Sequence, residues 1–269
     1  RWGMPFVRRL KTLNKQQGVC KMAVTQQVII VTGAGGGMGK AIIEDQLDRG
    51  HIVIGLDLSV TSLTNLAQQS LQTYEVNVLQ EDSIQAIVHE VYAKYRRIDG
   101  LVNALGIAQA ATPIEQVTMD DWNRLMDVNV KSLFITTKAI VPYMKKRKKG
   151  SIVTIASISA VRPRPGLQAY IASKGAAESF SRGLAIELAS HQIRVNTIHP
   201  GPADTQMLAQ FTAHGADAEH AKHNVFIQSV PLGRLVAPSD IAGAVSYLLS
   251  DAAGMVTGTT LHVDGGRGL

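Results

Sequence analysis

The chain has few of the features that would anchor several classes of protein. Of its 269 residues one is cysteine, Cys20, so neither an internal disulfide nor a cysteine-based zinc site can form. A reducing, cytoplasmic setting is the matching expectation. No apolar run approaches the ~18 residues needed to cross a bilayer, which argues against membrane insertion. Acidic residues are absent from positions 1–27, where Arg1, Arg8, Arg9, Lys11, Lys15 and Lys21 stand unopposed. Those six account for the whole formal charge of +6, because the other 21 basic residues meet 21 acidic ones. The excess therefore marks one terminal stretch rather than a basic face, and a nucleic-acid partner is not expected. Residues 1–27 read as a basic extension, either upstream of a start at Met22 or not native, and are set apart from the fold.

What remains, residues 28–269, is 242 residues without repeats or low-complexity linkers, long enough for one large α/β domain. Short β-branched runs recur at 28–32 (VIIVT), 52–56 (IVIGL), 101–103 (LVN), 151–157 (SIVTIAS) and 193–198 (IRVNTI). Between them the pattern turns helical; Val88, Val91, Tyr92 and Tyr95 recur at three- and four-residue spacing. Alternating strands and helices build a parallel sheet, and near-continuous apolar strands indicate cover on both faces. The stretch 202–230 has weak periodicity and scattered large apolar side chains, and reads as a substrate lid.

The first run leads into TGAGGGMG at 32–39 and then directly into a helical pattern from Lys40. A strand–glycine loop–helix junction is where a doubly wound sheet holds a pyrophosphate, on backbone amides at the positive end of a helix dipole. Gly33, Gly37 and Gly39 are the candidates. Met38 stands where a strict G-x-G-x-x-G would need its third glycine, so the pattern is T-G-x-x-x-G-x-G with Met38 inside the loop. Asp57 ends the second run near the ~20-residue separation at which a carboxylate can accept both hydroxyls of an adenosine ribose. The expected fold is thus a single doubly wound Rossmann domain, α/β, with a parallel sheet of about seven strands and helices on both faces.

Tyr170 and Lys174, four apart, share one face of a helix, where a cation can stabilise a phenolate. Alone the spacing is uninformative. With the glycine loop and Asp57, however, the chain from Val28 to Gly266 resembles the short-chain dehydrogenase/reductase family. Asn77-Val78 resembles the pair that contacts adenine, and LVNALG at 101–106 resembles L-V-N-N-A-G, with Asn103 and Gly106 in place. The resemblance implies Asn129 as proton-relay residue holding a water, Ser157 as carbonyl-binding hydroxyl, Tyr170 as acid/base and Lys174 as its activator and ribose ligand. Ser157 precedes Tyr170 by thirteen positions, as in the family, which leaves Ser159 as a loop residue and Ser173 as a helix neighbour. Pro200, Gly201 and Thr205 resemble the nicotinamide-holding P-G-x-x-x-T. One departure is Ala104-Leu105 in place of Asn-Ala, where Leu105 would put bulk at the cofactor floor. Bringing a phenol from ~10 to ~7 takes about 4 kcal/mol, for which Lys174 and oxidised nicotinamide are the expected sources.

The implied activity is hydride transfer between NAD(H) and a secondary alcohol or ketone. NAD is expected over NADP, because Asp57 would face the 2′-phosphate and neither 33–39 nor Leu58-Ser59-Val60 supplies a cation. The alternative is a 3-oxoacyl-[acyl-carrier-protein] reductase using NADPH, with Lys145–Lys149, Arg162 and Arg164 receiving the acidic carrier; the simpler reading of that run is a helix end. A catalytically silent nucleotide sensor is a third possibility, opposed by the intact Asn-Ser-Tyr-Lys set. His214, His220 and His223 lack the partners of a metal site, so no metal is expected, and His199 reads as structural. Counting Lys222 as the lid's only fixed cation, beside Met207, Leu208, Phe211, Val225 and Phe226, favours an apolar, uncharged small molecule. GTTLHVDGG at 258–266 resembles the family's terminal strand, which implies a homotetramer.

Overall fold

In a computed structural model that describes residues 26–66, 68–212 and 226–269, the strands form one seven-stranded sheet. The elements are β1 (Val28–Thr32), α1 (Gly37–Asp48), β2 (Ile52–Asp57), β3 (Leu71–Glu75), α2 (Glu81–Tyr95), β4 (Gly100–Asn103), α3 (Met119–Met126), α4 (Ser132–Arg147), β5 (Gly150–Ile155), α5 (Gln168–Leu188), β6 (Ile193–Pro200), α6 (Pro238–Leu249) and β7 (Thr260–Val263). The order across the sheet is β3-β2-β1-β4-β5-β6-β7, and every pairing is parallel. Chain order reverses between β1 and β4, which opens a crevice at the C-terminal ends of those strands.

Side-chain alternation decides the core. Val28 and Ile30 of β1 join Ile84, Val88, Ile140 and Met144 from α2 and α4, whereas Ile29 and Val31 join Ile42, Ile43, Val245 and Leu248 from α1 and α6. A strand covered on both faces must be apolar at successive positions, which is why β1 reads VIIVT. Each such side chain, fully buried, contributes about 1.5–3 kcal/mol. The exception is β3, an edge strand of sequence LQTYE that is half open to solvent. Its Tyr74 donates to Glu90 of α2 at 2.7 Å, and with no apolar run it leaves no mark in the sequence.

Helix ends follow their local chemistry. Thr118 caps α3 by accepting from Asp121 N at 3.1 Å, and Pro238 opens α6 with Asp240 bonding back to Ala237 N at 2.8 Å. Between α3 and α4 the chain widens into a π turn at Asp127–Lys131.

Three of the five cations in the basic run at the end of α4 are paired within the chain: Lys145 with Glu187, Arg147 with Asp99, and Lys149 with Asp251. The run lies where β5 begins, at the opposite end of that strand from Ser157. Of the basic extension, only Gln26 and Gln27 are described; Gln26 donates to Gly50 O and Gln27 N to His51 Nδ1. Residues 1–25, and the lid expectation at 213–225 with His214, His220, Lys222, His223 and Val225, lie outside the described residues. Among the described residues no helix is long and apolar enough to cross a membrane, and no cluster of three metal-ligating side chains occurs.

Candidate active site

The glycine loop closes the crevice at the end of β1. Gly33 has φ +69°, and a Cβ there would lie 2.7 Å from the backbone of Leu105. Gly37 and Gly39 keep negative φ and are needed for close approach. A Cβ on Gly39 would stand 2.0 Å from Gly33 O, and one on Gly37 would stand 3.1 Å from the methyl of Thr205. Gly35, which the pattern did not single out, is as constrained, with Ser59 O at 2.3 Å. Its amide donates to Asp57 Oδ2 at 2.8 Å, so the loop itself holds the carboxylate that ends β2.

These residues fit a dinucleotide on grounds of backbone chemistry. Unlike α3, α1 starts at Gly36 with no side-chain cap and no acidic residue in its first turn. Its first amides are therefore left for an anion. Asn77 lies exposed just beyond β3, its Oδ1 accepting from Leu79 N at 3.0 Å, while the Val78 side chain is in the core. Asn103 is 1% exposed; its Oδ1 accepts from Thr136 Oγ1 at 2.9 Å, while its buried Nδ2 has no hydrogen-bond partner among the described residues. Leu105 is partly buried and packs against the core on the α2 and α4 face of the sheet, and its backbone braces Gly33.

On the other side of the crevice the four expected catalytic side chains are buried together: Asn129, Ser157, Tyr170 and Lys174 are 1, 8, 4 and 5% exposed. Ser157 follows β5, its Oγ pinned by Ser159 N at 3.1 Å, and its hydroxyl favours the phenolate form of Tyr170. Lys174 Nζ is 5.8 Å from the Tyr170 ring centre and donates to Ile155 O at 3.1 Å. Asn129, carried in by the π turn, accepts from Ile107 N at 2.8 Å and donates to Ile107 O and to Ser173 Oγ at 3.1 and 3.0 Å. A Cβ on Gly106 would come within 3.0 Å of Lys174 Nζ and 3.4 Å of Asn129 Oδ1, so glycine there leaves room for both.

Two side chains with no sequence signal complete the arrangement. Ser173 is more than a helix neighbour: fully buried, it links Asn129 to Tyr170 O, to which it donates at 2.7 Å. Gln109 accepts from Tyr170 N at 2.9 Å and so caps the first turn of α5, which Leu167 cannot do. Both contacts join segments far apart in sequence. His199 on β6 is fully buried and stacks on His262 at 5.3 Å, in keeping with a structural role.

Burial pushes the Tyr170 phenol up to about 12, with the Ser157 hydroxyl opposing it, and pushes the Lys174 ammonium down to about 8. The expectation of a phenol near 7 is not met by these side chains alone. A cation 5.8 Å from the ring does not outweigh desolvation of the phenolate. Above the pair lies a cavity of about 80 Å³ walled by Ser157, Tyr170, Met38, Gly201 and Thr205, and roofed by Met207, Leu208, Phe211 and Phe226. Phe211 meets Tyr170 edge-on at 4.9 Å. Pro200 ends β6, and Gly201, the next residue, is held against Asp264, to whose Cα a Cβ would approach within 2.8 Å.

A family model described as enoyl-(acyl carrier protein) reductase matches residues 33–267. A 3-oxoacyl-[acyl-carrier-protein] reductase from Thermotoga maritima is 34% identical over 251 residues, covering 91% of this chain and 99% of that protein. A cyclopentanol dehydrogenase from Comamonas testosteroni is 33% identical over 249 residues, 90% of this chain and 97% of that protein. Among solved structures, the 3-ketoacyl-(acyl-carrier-protein) reductase from Brucella melitensis complexed with NADH has a TM-score of 0.82 at 32% identity, covering 90% and 98% of the two chains. Likeness of this extent, over a crevice whose loop and buried hydroxyls already suit a dinucleotide and a carbonyl, places the chain in the short-chain dehydrogenase/reductase family, as an NAD(P)-dependent oxidoreductase of small alcohols and ketones.

Proposed function

We propose that the chain interconverts a secondary alcohol and its ketone using NAD(H), with Tyr170 giving or taking the proton. The observation that carries this reading is that Ser157 and Tyr170 are buried side by side on the wall of one cavity, where the Ser157 hydroxyl favours the Tyr170 phenolate. Bound nicotinamide supplies or takes up the hydride. Ser157 and Tyr170 hydrogen-bond the substrate oxygen where charge develops. Tyr170 exchanges the proton, Lys174 stabilises the phenolate and binds ribose, and Asn129 holds a water that links Lys174 to solvent. Gly33, Gly37, Met38 and Gly39 hold the pyrophosphate. Asp57 takes the adenosine ribose, Asn77 and Val78 the adenine, the backbone of Asn103 and Gly106 the second ribose, and Pro200, Gly201 and Thr205 the nicotinamide. Residues 202–230 serve as the lid, and the working form is a cytoplasmic homotetramer.

Replacing Tyr170 by Phe keeps the ring against Phe211 and deletes the proton donor. Turnover is expected to fall by roughly 10² or more while cofactor affinity holds. A Tyr170→Phe enzyme that turns over like wild type would overturn the assignment. Ser173→Ala is not a neutral control here, since Ser173 is wired to Asn129.

Asp57, fixed by Gly35 N, cannot swing away from a 2′-phosphate without losing that bond. At an effective dielectric of ~20, two unit charges about 4 Å apart repel by about 4 kcal/mol, and half of that still favours NAD about thirtyfold. Asp57→Ala should narrow the preference, read as kcat/KM with each cofactor; a wild-type preference for NADP sinks the argument. That outcome would promote the second reading, a 3-oxoacyl-[acyl-carrier-protein] reductase, which the Thermotoga and Brucella relatives support.

A further inference from the structure

The same cavity has a feature at odds with an uncharged substrate. Two arginines line it beside Ser157 and Tyr170: Arg164, from the loop before α5, and Arg267, from the segment after β7. Arg267 is 7% exposed and Arg164 is half-buried. The Arg164 guanidinium sits 4.9 Å over the Phe226 ring and donates to Phe211 O at 3.4 Å. Among the described residues Arg267 donates to Ser229 O alone, at 3.5 Å. Each guanidinium has five N–H donors, so most are left over.

Among the described residues neither arginine has an ion-pair partner. No carboxylate of those residues lies within 4.0 Å of Arg164 or Arg267. Asp264 is the anion that acts on Arg267, yet its two oxygens accept from Gly266 N and Gly268 N at 2.9 and 2.7 Å. A third cation, Arg162, adds to the excess by donating to the Arg267 carbonyl. Burial lowers the affinity of Arg164 and Arg267 for their protons, and on Arg267 the charges of Arg162 and Arg164 act in the same direction. Partly desolvated guanidinium groups without a counterion cost free energy that an arriving anion would recover, and planar forks match carboxylate or sulfonate oxygens.

We propose that the substrate is an organic anion, an alcohol or ketone bearing a carboxylate or sulfonate. Its reacting oxygen lies on Ser157 and Tyr170, and its anionic end lies on Arg164 and Arg267. The proposal rests on the reading of Ser157 and Tyr170 as the oxygen-binding pair. It replaces the uncharged substrate expected from the lid alone, because both arginines enter from outside residues 202–230.

The test titrates the enzyme–NADH complex with 4-oxopentanoate, 5-oxohexanoate and 6-oxoheptanoate, each beside its neutral amide, at constant ionic strength. Binding is followed by nicotinamide fluorescence, and turnover is measured on the same compounds. At least one carboxylate should bind about tenfold or more tighter than its amide. Arg164→Gln and Arg267→Gln should each remove that preference, Arg164→Lys should restore part of it, and amide and NADH affinities should stay put. Equal binding of carboxylates and amides overturns the proposal. So does a preference that survives in the double Gln variant, or an NADH affinity that falls with the arginines, which would put them on cofactor phosphates. Turnover without preference rejects the anion seat and leaves the reaction standing. Selective, arginine-dependent binding without turnover supports the seat and counts against the oxygen-binding roles of Ser157 and Tyr170.

Discussion

Lys174 shows what the site costs the fold. It is enclosed on α5 with one hydrogen bond, to Ile155 O, and burial brings its ammonium from 10.5 down to about 8. A folded-state value below the unfolded one means that the folded protein binds fewer protons between about pH 8 and 10.5. Stability from this group is therefore present above 10.5 and is lost as pH falls through 8. Near neutrality the buried charge costs up to about 3 kcal/mol. Lys174→Met should accordingly unfold at higher urea than wild type at pH 7, both without cofactor, and the gap should close as pH approaches 10.5. A gap independent of pH would show that the cost is not one of charge. Tyr170 acts at higher pH: its value of about 12 against 10 unfolded removes stability as pH rises through that window. The same variant should be inactive, as stability gained at a catalytic site usually is. The Tyr–Lys spacing was legible in the sequence, but burial depends on every element packed around α5, so the direction of both shifts was not.

At the scale of elements, the junction of β1 with α1 depends on glycine at several consecutive turns for different reasons. Gly33 needs a positive φ, while Gly39 needs to lack a Cβ because Gly33 O is 2.0 Å from where one would be. Gly39→Ala must shift the loop, at about 1–3 kcal/mol in stability. NADH affinity should fall at least about tenfold, since the first amides of α1 move with the loop. Gly243→Ala in α6 meets nothing within 4 Å and supplies the contrast. It should stabilise by about 0.5–1 kcal/mol, as an exposed helical glycine replaced by alanine does. Thermal unfolding and NADH titration on both variants decide; equal tolerance would mean that the loop gives freely at Gly39. The T-G-x-x-x-G-x-G pattern identified this element, yet it missed Gly35, whose constraint comes from Ser59 and Asp57 across the sheet. It was β3, polar and on the edge, that escaped the strand pattern altogether.

At the scale of the whole molecule, family resemblance makes a homotetramer the expected form. Light scattering should give a mass well above the 28.9 kDa chain; an active monomer would refute it. What the sequence by itself determined was periodic or local: near-continuous apolar strands that require cover on both faces, a glycine loop between strand and helix, and Tyr170 and Lys174 one turn apart. These are legible because neighbours along the chain create them. Tertiary structure alone decided which distant side chains serve the site. Gln109 caps Tyr170, Ser173 reaches Asn129, and Arg164 and Arg267 meet over one cavity from the loop before α5 and the segment after β7. None of those pairings has a spacing to betray it, because the sheet's strand order, not the chain's, brings the partners together. For the same reason the lid residues alone led to the expectation of an uncharged ligand, whereas the proposed anion rests on two guanidinium groups that only the fold brings to one cavity.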